Sequence, residues 1–471
     1  MKFLIISIVF LSISCNNAFD YSNPYQVKKN FVNKNSDKCH KDKDCKKENE
    51  FCIFENKASQ IGICSNPCDG FDCSKEGVNK RCVLNDEHEP LCVCKENYHP
   101  DANNQCIKAN WEKVSAGDGY TCGIMNKNLY CWGRYNPSNY KGVLGLGNLE
   151  NEGNQTIPVK VGKDNWIDIS CSGDYACGIK EDNSLWCWGD NSDKKLISGM
   201  EAGNINTPEK IGNDKWLKVF TNKSFNNNHF TCALNTTGKL YCWGKDNADM
   251  NPINGDYLHA FVNDDNILTI NNNNNLYYLE YGNEPYSDDK NNYILATMLN
   301  NEKDGILALR SDNKLVHYNS DSIYGICDNL TSANLEDDKD SNCNIIEANY
   351  IDSRGNLACI VVDRRGLYCY RTGNIGDLFM SMIEYDNQFY KLGDKTDWIL
   401  VSIGNDHICA IDGIHNLYCI GNGNDGELGL GDMNKGSKNL NGLENCENLT
   451  GSNAHCLSFN KIKMVDRGVA Q

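Results

Sequence analysis

A five-residue unit, LYCWG at 129–133, returns as LWCWG at 185–189 and LYCWG at 240–244, with looser copies LYCYR at 367–371 and LYCIG at 417–421. Self-similarity of this kind constrains the fold more than any other property of the chain. Each repeat is a supersecondary unit that cannot bury its apolar face until it stacks on a neighbour. Longer windows align around the unit: WEKVSAGDGYTCGIMNKNLYCWG (111–133), WIDISCSGDYACGIKEDNSLWCWG (166–189), WLKVFTNKSFNNNHFTCALNTTGKLYCWG (216–244) and WILVSIGNDHICAIDGIHNLYCIG (398–421). Each opens on Trp with an alternating apolar segment, turns into a short strand bearing one cysteine, and turns again into a strand bearing a second. ILTINNNNNLYYLEYG (267–282), ILALRSDNKLVHYN (306–319) and ACIVVDRRGLYCYR (358–371) share the hairpin shape. Seven units result, opening near Trp111, Trp166, Trp216, Tyr257, Tyr293, Asn344 and Trp398. Short-strand repeats of this length predict an all-β fold, a seven-bladed β-propeller over 109–471.

The cysteines follow the repeat. Cys122–Cys131, Cys177–Cys187, Cys232–Cys242, Cys359–Cys369 and Cys409–Cys419 occupy matching hairpin positions. In the fourth and fifth units both are replaced together, by Leu268/Tyr278 and Leu307/His317. Joint loss is what a bonded pair predicts, and facing residues of an antiparallel hairpin lie close enough for a disulfide. Successive strand residues point to opposite faces, so Trp186 and Trp188 share one face and Cys187 takes the other. Blades are packed on both faces, which puts the tryptophans in the gaps between neighbours. FNKIKMVD (459–466) looks like the last outer segment and is expected to close the ring against the first blade, with Cys446–Cys456 stapling that return and Cys327–Cys343 an insertion. Cys171 is left over, so one thiol outside the intramolecular disulfides, or one intermolecular bond, is expected.

Twenty-six cysteines in 471 residues are too many for a reducing cytosol. The amino terminus agrees: Lys2 precedes the apolar run FLIISIVFLSI (3–13) and then small residues, a secretory signal over 1–18 followed by a linker over 19–38. A lipidation reading of LSISC (11–15) fits poorly, because Ser12 stands where a branched apolar residue belongs. No second span and no apolar carboxy-terminal tail is apparent, so release to the extracellular space or a secretory lumen is expected. Five N-x-S/T acceptors, Asn154, Asn222, Asn235, Asn329 and Asn448, suit that route wherever they are exposed. The NNNNN run (271–275) reads as an exposed hairpin tip. A formal charge of -17 argues against nucleic acid and anionic membrane surfaces as partners.

Residues 39 to 106 hold ten cysteines. So short a segment buries little apolar surface, and covalent staples must stand in for a core. Zinc would call for C-x-x-C or His spacing, which is absent. Cys39, Cys45, Cys52 and Cys64 form a four-cysteine module over 39–66; Cys39–Cys52 with Cys45–Cys64 is one of three possible pairings. Over 67–108 the spacing of Cys68, Cys73, Cys82, Cys92, Cys94 and Cys106, with the unit CVC (92–94), resembles an epidermal growth factor-like module. The resemblance implies bridges Cys68–Cys82, Cys73–Cys92 and Cys94–Cys106. The acidic pattern of the calcium-binding version is missing from CSNPC (64–68), so no calcium site is expected there.

In the repeats, the tails GVLGLGN (142–148) and GNGNDGELGLGD (421–432), placed after WG or IG, resemble the regulator of chromosome condensation family. That resemblance covers about 360 residues and is strongest in units one, two, three and seven. It implies a seven-bladed propeller but does not carry a function with it. The founding member's nuclear role in activating a small GTPase and binding chromatin is contradicted here by the signal, the hairpin disulfides and the negative charge. Other secreted propellers of the type bind and inhibit an enzyme, and the W-x-x-V opening is similar, more weakly, to that of tectonin lectins.

Catalytic signatures are missing: there is no H-E-x-x-H, G-x-S-x-G or Walker loop, and no catalytic residue, metal or cofactor is expected. Tyr120, Tyr175, Phe230 and His407 each stand two residues before the first hairpin cysteine. If the adjoining loops open on one rim they form a ring of partner-binding anchors; otherwise they pack the interior. The expected function is a secreted, non-catalytic protein-binding or adhesive propeller acting on an extracellular protein. An enzyme inhibitor using one propeller face and a tectonin-like lectin for glycans are the alternatives.

Overall fold

The computed structural model describes residues 38–39, 51–53, 142–147, 153–191, 196, 203–222, 348–371, 389–421, 423–430 and 460–461, and, with short gaps, 62–135 and 230–325. The chain divides into two compact units, Met1–Ile107 with Val465–Gln471, and Lys108–Met464.

In the first unit, Gly62–Ser65 lies between Lys38–Cys39 and Phe51–Ile53 in a three-stranded sheet. A hairpin of Lys80–Leu84 and Pro90–Cys94 follows. Disulfides join Cys68–Cys82, Cys73–Cys92 and Cys94–Cys106. Its buried apolar side chains are largely the cystines themselves, with Val93 beside them, so cross-links replace the core that so short a segment cannot build. Of the expected pairs Cys39–Cys52 and Cys45–Cys64, Cys45 and all four side chains lie outside the described residues; the backbone register sets Cys52 opposite Cys64.

The second unit is a seven-bladed propeller of four-stranded antiparallel blades. The first strands are Trp111–Ala116, the second half of Gln155–Cys171, Trp216–Thr221, Tyr257–Asn263, Tyr293–Met298, Ala348–Arg354 and Trp398–Ile403. They touch one another in succession around the ring and surround its axis. The sixth opens at Ala348 rather than near Asn344, because an alanine takes the slot that the other blades fill with Trp or Tyr. Gln155–Cys171 serves as outer strand of blade 1 and inner strand of blade 2, fusing the two into one seven-stranded sheet. The asparagine run forms the blade 4 hairpin tip, where Asn271 Oδ1 accepts from the backbone amides of Asn273 and Asn275.

Blade packing alternates two chemistries. Disulfides Cys122–Cys131, Cys177–Cys187, Cys232–Cys242, Cys359–Cys369 and Cys409–Cys419 join facing residues of the second and third strands. Blades 4 and 5 place Leu268 opposite Tyr278 and Leu307 opposite His317 at the same register. Each cystine is covered by the next blade's aromatics: Cys122 and Cys131 by Trp166 and Trp188, Cys177 and Cys187 by Trp216 and Trp243, Cys409 and Cys419 by Trp111 and Trp132. Within a blade the two tryptophans meet edge to face, with ring centroids 5.7 Å apart for Trp111 and Trp132 and 5.8 Å for Trp166 and Trp188.

The glycine-rich tails have a specific task. Trp132 Nε1 donates to the carbonyl of Glu427 (2.8 Å), Trp188 Nε1 to that of Val143 (2.9 Å) and Trp243 Nε1 to that of Leu196 (3.0 Å), each carbonyl belonging to the tail of the preceding blade. A β-carbon at Gly429 or Gly145 would strike the indole nitrogen, so glycine lets the tail lie flat on the ring. The seam between blades 7 and 1 is closed by this clamp. There Thr121 gives its hydroxyl proton to Glu427 O (2.9 Å), so His407 donates from Nε2 to Thr121 Oγ1 (2.8 Å). Arg134 Nη2 lies 2.6 Å from Asp425 across the seam. The segment expected to close the ring against blade 1 instead pairs within blade 7, Asn460 opposite Cys419 and Lys461 opposite Tyr418. Cys446–Cys456 and Cys327–Cys343 lie outside the described residues.

Candidate functional site at the axial mouth

The opening tetrad of each first strand sets the geometry of the axis. Its first and fourth residues are buried, and in blades 1 to 6 its third lines the axial cavity. In every blade the ladder slips between first and third: between Trp111 and Lys113, Trp166 and Asp168, Trp216 and Lys218, Tyr257 and His259, Tyr293 and Leu295, Ala348 and Tyr350, and Trp398 and Leu400. The second residue is thus a β-bulge, a device that re-aims a side chain out of the ladder. Leu217, Leu258, Ile294 and Ile399 sit at that position, 45, 46, 41 and 39 % exposed. Ile167 is half-buried at the same place in blade 2, while blades 1 and 6 carry the exposed Glu112 and Asn349. Five aliphatic side chains therefore ring one end of the axis, with two polar breaks.

Inside that ring lies a cavity of about 300 Å³. One wall carries charge and imidazole, supplied by blades 1 to 4 as Lys113, Asp168, Lys218 and His259. The other is mixed, with Leu295, Tyr350 and Ile351 beside Asp352 and Ser402. Lys113 Nζ stands 3.8 Å from Asp168, whose other oxygen accepts from the Val219 amide at 3.0 Å. Burial pushes the Asp168 carboxyl up, against the pull of Lys113. Lys218 Nζ reaches across to the Leu258 carbonyl at 3.4 Å, tying the mouth to the bulge of the next blade. Burial lowers its ammonium pKa. His259 packs edge to face on Phe220, 5.4 Å between centroids. Burial, with Lys218 and Lys113 beside it, pushes its imidazole down to about 3, so it is neutral at physiological pH.

Tyr120, Tyr175 and His407 do not form a rim, and this corrects the anchor reading: all three are fully buried. Each instead ties its blade to the next, Tyr120 by donating to Tyr175 O (2.6 Å), Tyr175 through Thr231 Oγ1 (2.9 Å) and His407 through Thr121. The rings lie over Gly117 and Gly404, where a β-carbon would collide with Tyr120 and His407. The side chain of Phe230 lies outside the described residues. Cys171 is fully buried and lies in no disulfide among the described residues.

The sequons divide. Asn222 is buried and its carbonyl accepts from Ser172, so it presents nothing to a glycan. Asn154 Nδ2 donates to Asp425 (3.2 Å) and Asn235 Oδ1 holds its own turn. Asn329 and Asn448 lie outside the described residues. Among the described residues no helix is long and apolar enough to cross a membrane.

Models of the regulator of chromosome condensation repeat match residues 127–179, 166–194 and 225–249. The E3 ubiquitin-protein ligase HERC2 of mouse and of human is 33 % identical over 135 residues, which is 28 % of this chain and 3 % of the relative. The chain thus spans a small fraction of the curated relatives it matches. Similar solved structures include human WBSCR16 (12 % identity, 65 % of this chain and 91 % of that one, TM-score 0.48). Prp20p of Saccharomyces cerevisiae is another (14 %, 68 % and 74 %, TM-score 0.39), as is the ectodomain of the Physcomitrella patens receptor kinase CR4 (12 %, 66 % and 74 %, TM-score 0.40). The cystine hairpin, the tail-on-tryptophan clamp and the family matches fall on the same blades, so residues 127–194 and 225–249 carry repeats of the regulator of chromosome condensation type.

Proposed function

We propose that this is a secreted, non-catalytic propeller that binds an extracellular protein through the end of its axis bearing the bulge ring. The observation that carries the reading is the ring itself: aliphatic side chains turned outward by the same bulge in blades 3, 4, 5 and 7, each about 40 % exposed or more. An exposed apolar patch with a polar surround marks an interaction surface. Secretion is supported by the signal-like amino terminus and by hairpin cystines buried under the next blade, which need an oxidising compartment to form. The spacing and bridges of 67–108 support an epidermal growth factor-like module as a spacer or second contact. Protein binding also suits the family, in which yeast Prp20p binds Gsp1p and histones.

The test is affinity capture from extracellular fluid, using the disulfide-intact secreted chain beside the variant Leu217→Asp/Leu258→Asp/Ile294→Asp. The reading expects proteins retained by the native chain and lost by the variant. Retention by both would place the interface elsewhere, and release by free sugar would move the function to glycans.

A further inference from the structure

The axial mouth carries a charge pattern that the apolar ring alone does not explain. Lys113, Asp168 and Lys218 stand on three successive blades, and a second carboxylate, Asp352 of blade 6, lines the cavity with one oxygen held by the Ile403 amide at 2.8 Å. Asp168 lies within ion-pair distance of Lys113, and among the described residues no carboxylate comes that close to Lys218. The Lys218 ammonium instead leans on a single carbonyl, that of Leu258, at the long distance of 3.4 Å. Leu258 is itself a ring residue, so the cation sits where the apolar ring meets the cavity. His259, the next group around the wall, is neutral and adds no competing charge. Opposite stand Leu295 and Tyr350, with Asp352 between blades 6 and 7 engaged by the Ile403 amide. A cavity of about 300 Å³ is at the small end for ligand pockets. It has room for one or two side chains entering from a segment laid over the ring.

Resting on the protein-binding reading above, we infer that the mouth receives an acidic side chain from an apolar segment of the partner, with Lys218 as the cation that meets the carboxylate and the bulge aliphatics holding the flanking residues. An ammonium at the cavity edge with only a weak neutral acceptor gains from a carboxylate delivered under the same apolar collar. The aliphatic collar keeps water away from the pair that forms. Leu217 and Leu258 flank Lys218 on the two neighbouring bulges, which sets the recognised pattern as apolar–acidic–apolar.

The experiment uses the secreted full-length chain and three probes: acetyl-Leu-Glu-Leu amide, its Gln counterpart, and hexanoate. Binding is followed by titration and by acetylation of Lys218 read by mass spectrometry, with the exposed Lys163 as internal control. The expected result is protection of Lys218 but not Lys163 by the Glu peptide, an affinity about tenfold above that of the Gln peptide, and loss of that difference in Lys218→Met. Near-ultraviolet circular dichroism confirms that the variant is folded. Equal binding of both peptides, abolished by Leu217→Asp, would overturn this inference and leave the apolar-ring reading standing. Protection by hexanoate as strong as by the Glu peptide would overturn it in favour of free small acids. No protection by any probe would also overturn it, while the capture test above still decides the ring on its own.

Discussion

The seam between blades 7 and 1 contains a carboxyl whose protonation should set how stability changes with pH. Glu427 is fully buried, one oxygen accepting from the Asp425 amide at 2.8 Å. Burial, with Asp406 and Asp425 nearby, raises its pKa from 4.5 to about 8. Between those values the folded chain holds a proton that the unfolded chain has released. Stability contributed by that proton is therefore full below pH 4.5 and is lost as pH rises through 8. At about 1.4 kcal/mol per tenfold, the gap corresponds to at most about 5 kcal/mol, of which about 4 kcal/mol falls between pH 5 and 8.5. The perturbation is Glu427→Gln, which keeps the acceptor for the Asp425 amide and cannot ionise. Urea unfolding with disulfides intact, followed by tryptophan fluorescence, reports on the seam through Trp132, whose indole bonds the Glu427 carbonyl. The variant should match the native chain at pH 5 and exceed it at pH 8.5 by up to about 4 kcal/mol. Parallel pH profiles for the two proteins would refute the reasoning.

Three further outcomes are expected. Cys177→Ala/Cys187→Ala opens a loop of sequence separation 10 and should lower stability by about 2–3 kcal/mol, measured by denaturant midpoint. Tyr120→Phe removes the bond to Tyr175 O and should cost about 1 kcal/mol in the same assay, with partner capture unchanged; a loss of capture would restore the anchor reading. Peptide mapping of the chain secreted from a eukaryotic host should find Asn222 without glycan, since its side chain is enclosed by the fold.

The blade was readable because its cystine, its tryptophans and its hairpin register all follow from a period of two along each strand. The paired loss at Leu268/Tyr278 and Leu307/His317 even identified facing residues in blades without a disulfide. The mouth was less legible. A slip in the ladder depends on the partner strand, and nothing inside W-x-x-V marks it. One signal was present, however: Leu217 and Ile399 follow directly on a core tryptophan, and two adjacent apolar residues cannot both face inward on a regular strand. The aromatic positions left two readings open for a related reason. Whether a ring before a cysteine points to solvent or to the next blade depends on what lies under it. The small residues at Gly117 and Gly404, three positions earlier, were the sign that space had been left for a ring.

The covering of each cystine by the following blade also fixes an order of events in time. Once Trp166 and Trp188 lie over Cys122–Cys131, neither an oxidant nor a reductant can reach the sulfurs without prising two blades apart. The hairpins must therefore oxidise as they emerge, before their successors dock. Blade 7 is the exception, since the blade that roofs Cys409–Cys419 is the first one made and already waits for it. Ring closure is then also the step that locks the last bond away. A chain that completes it carries the redox state of the compartment where it folded into any fluid it later meets.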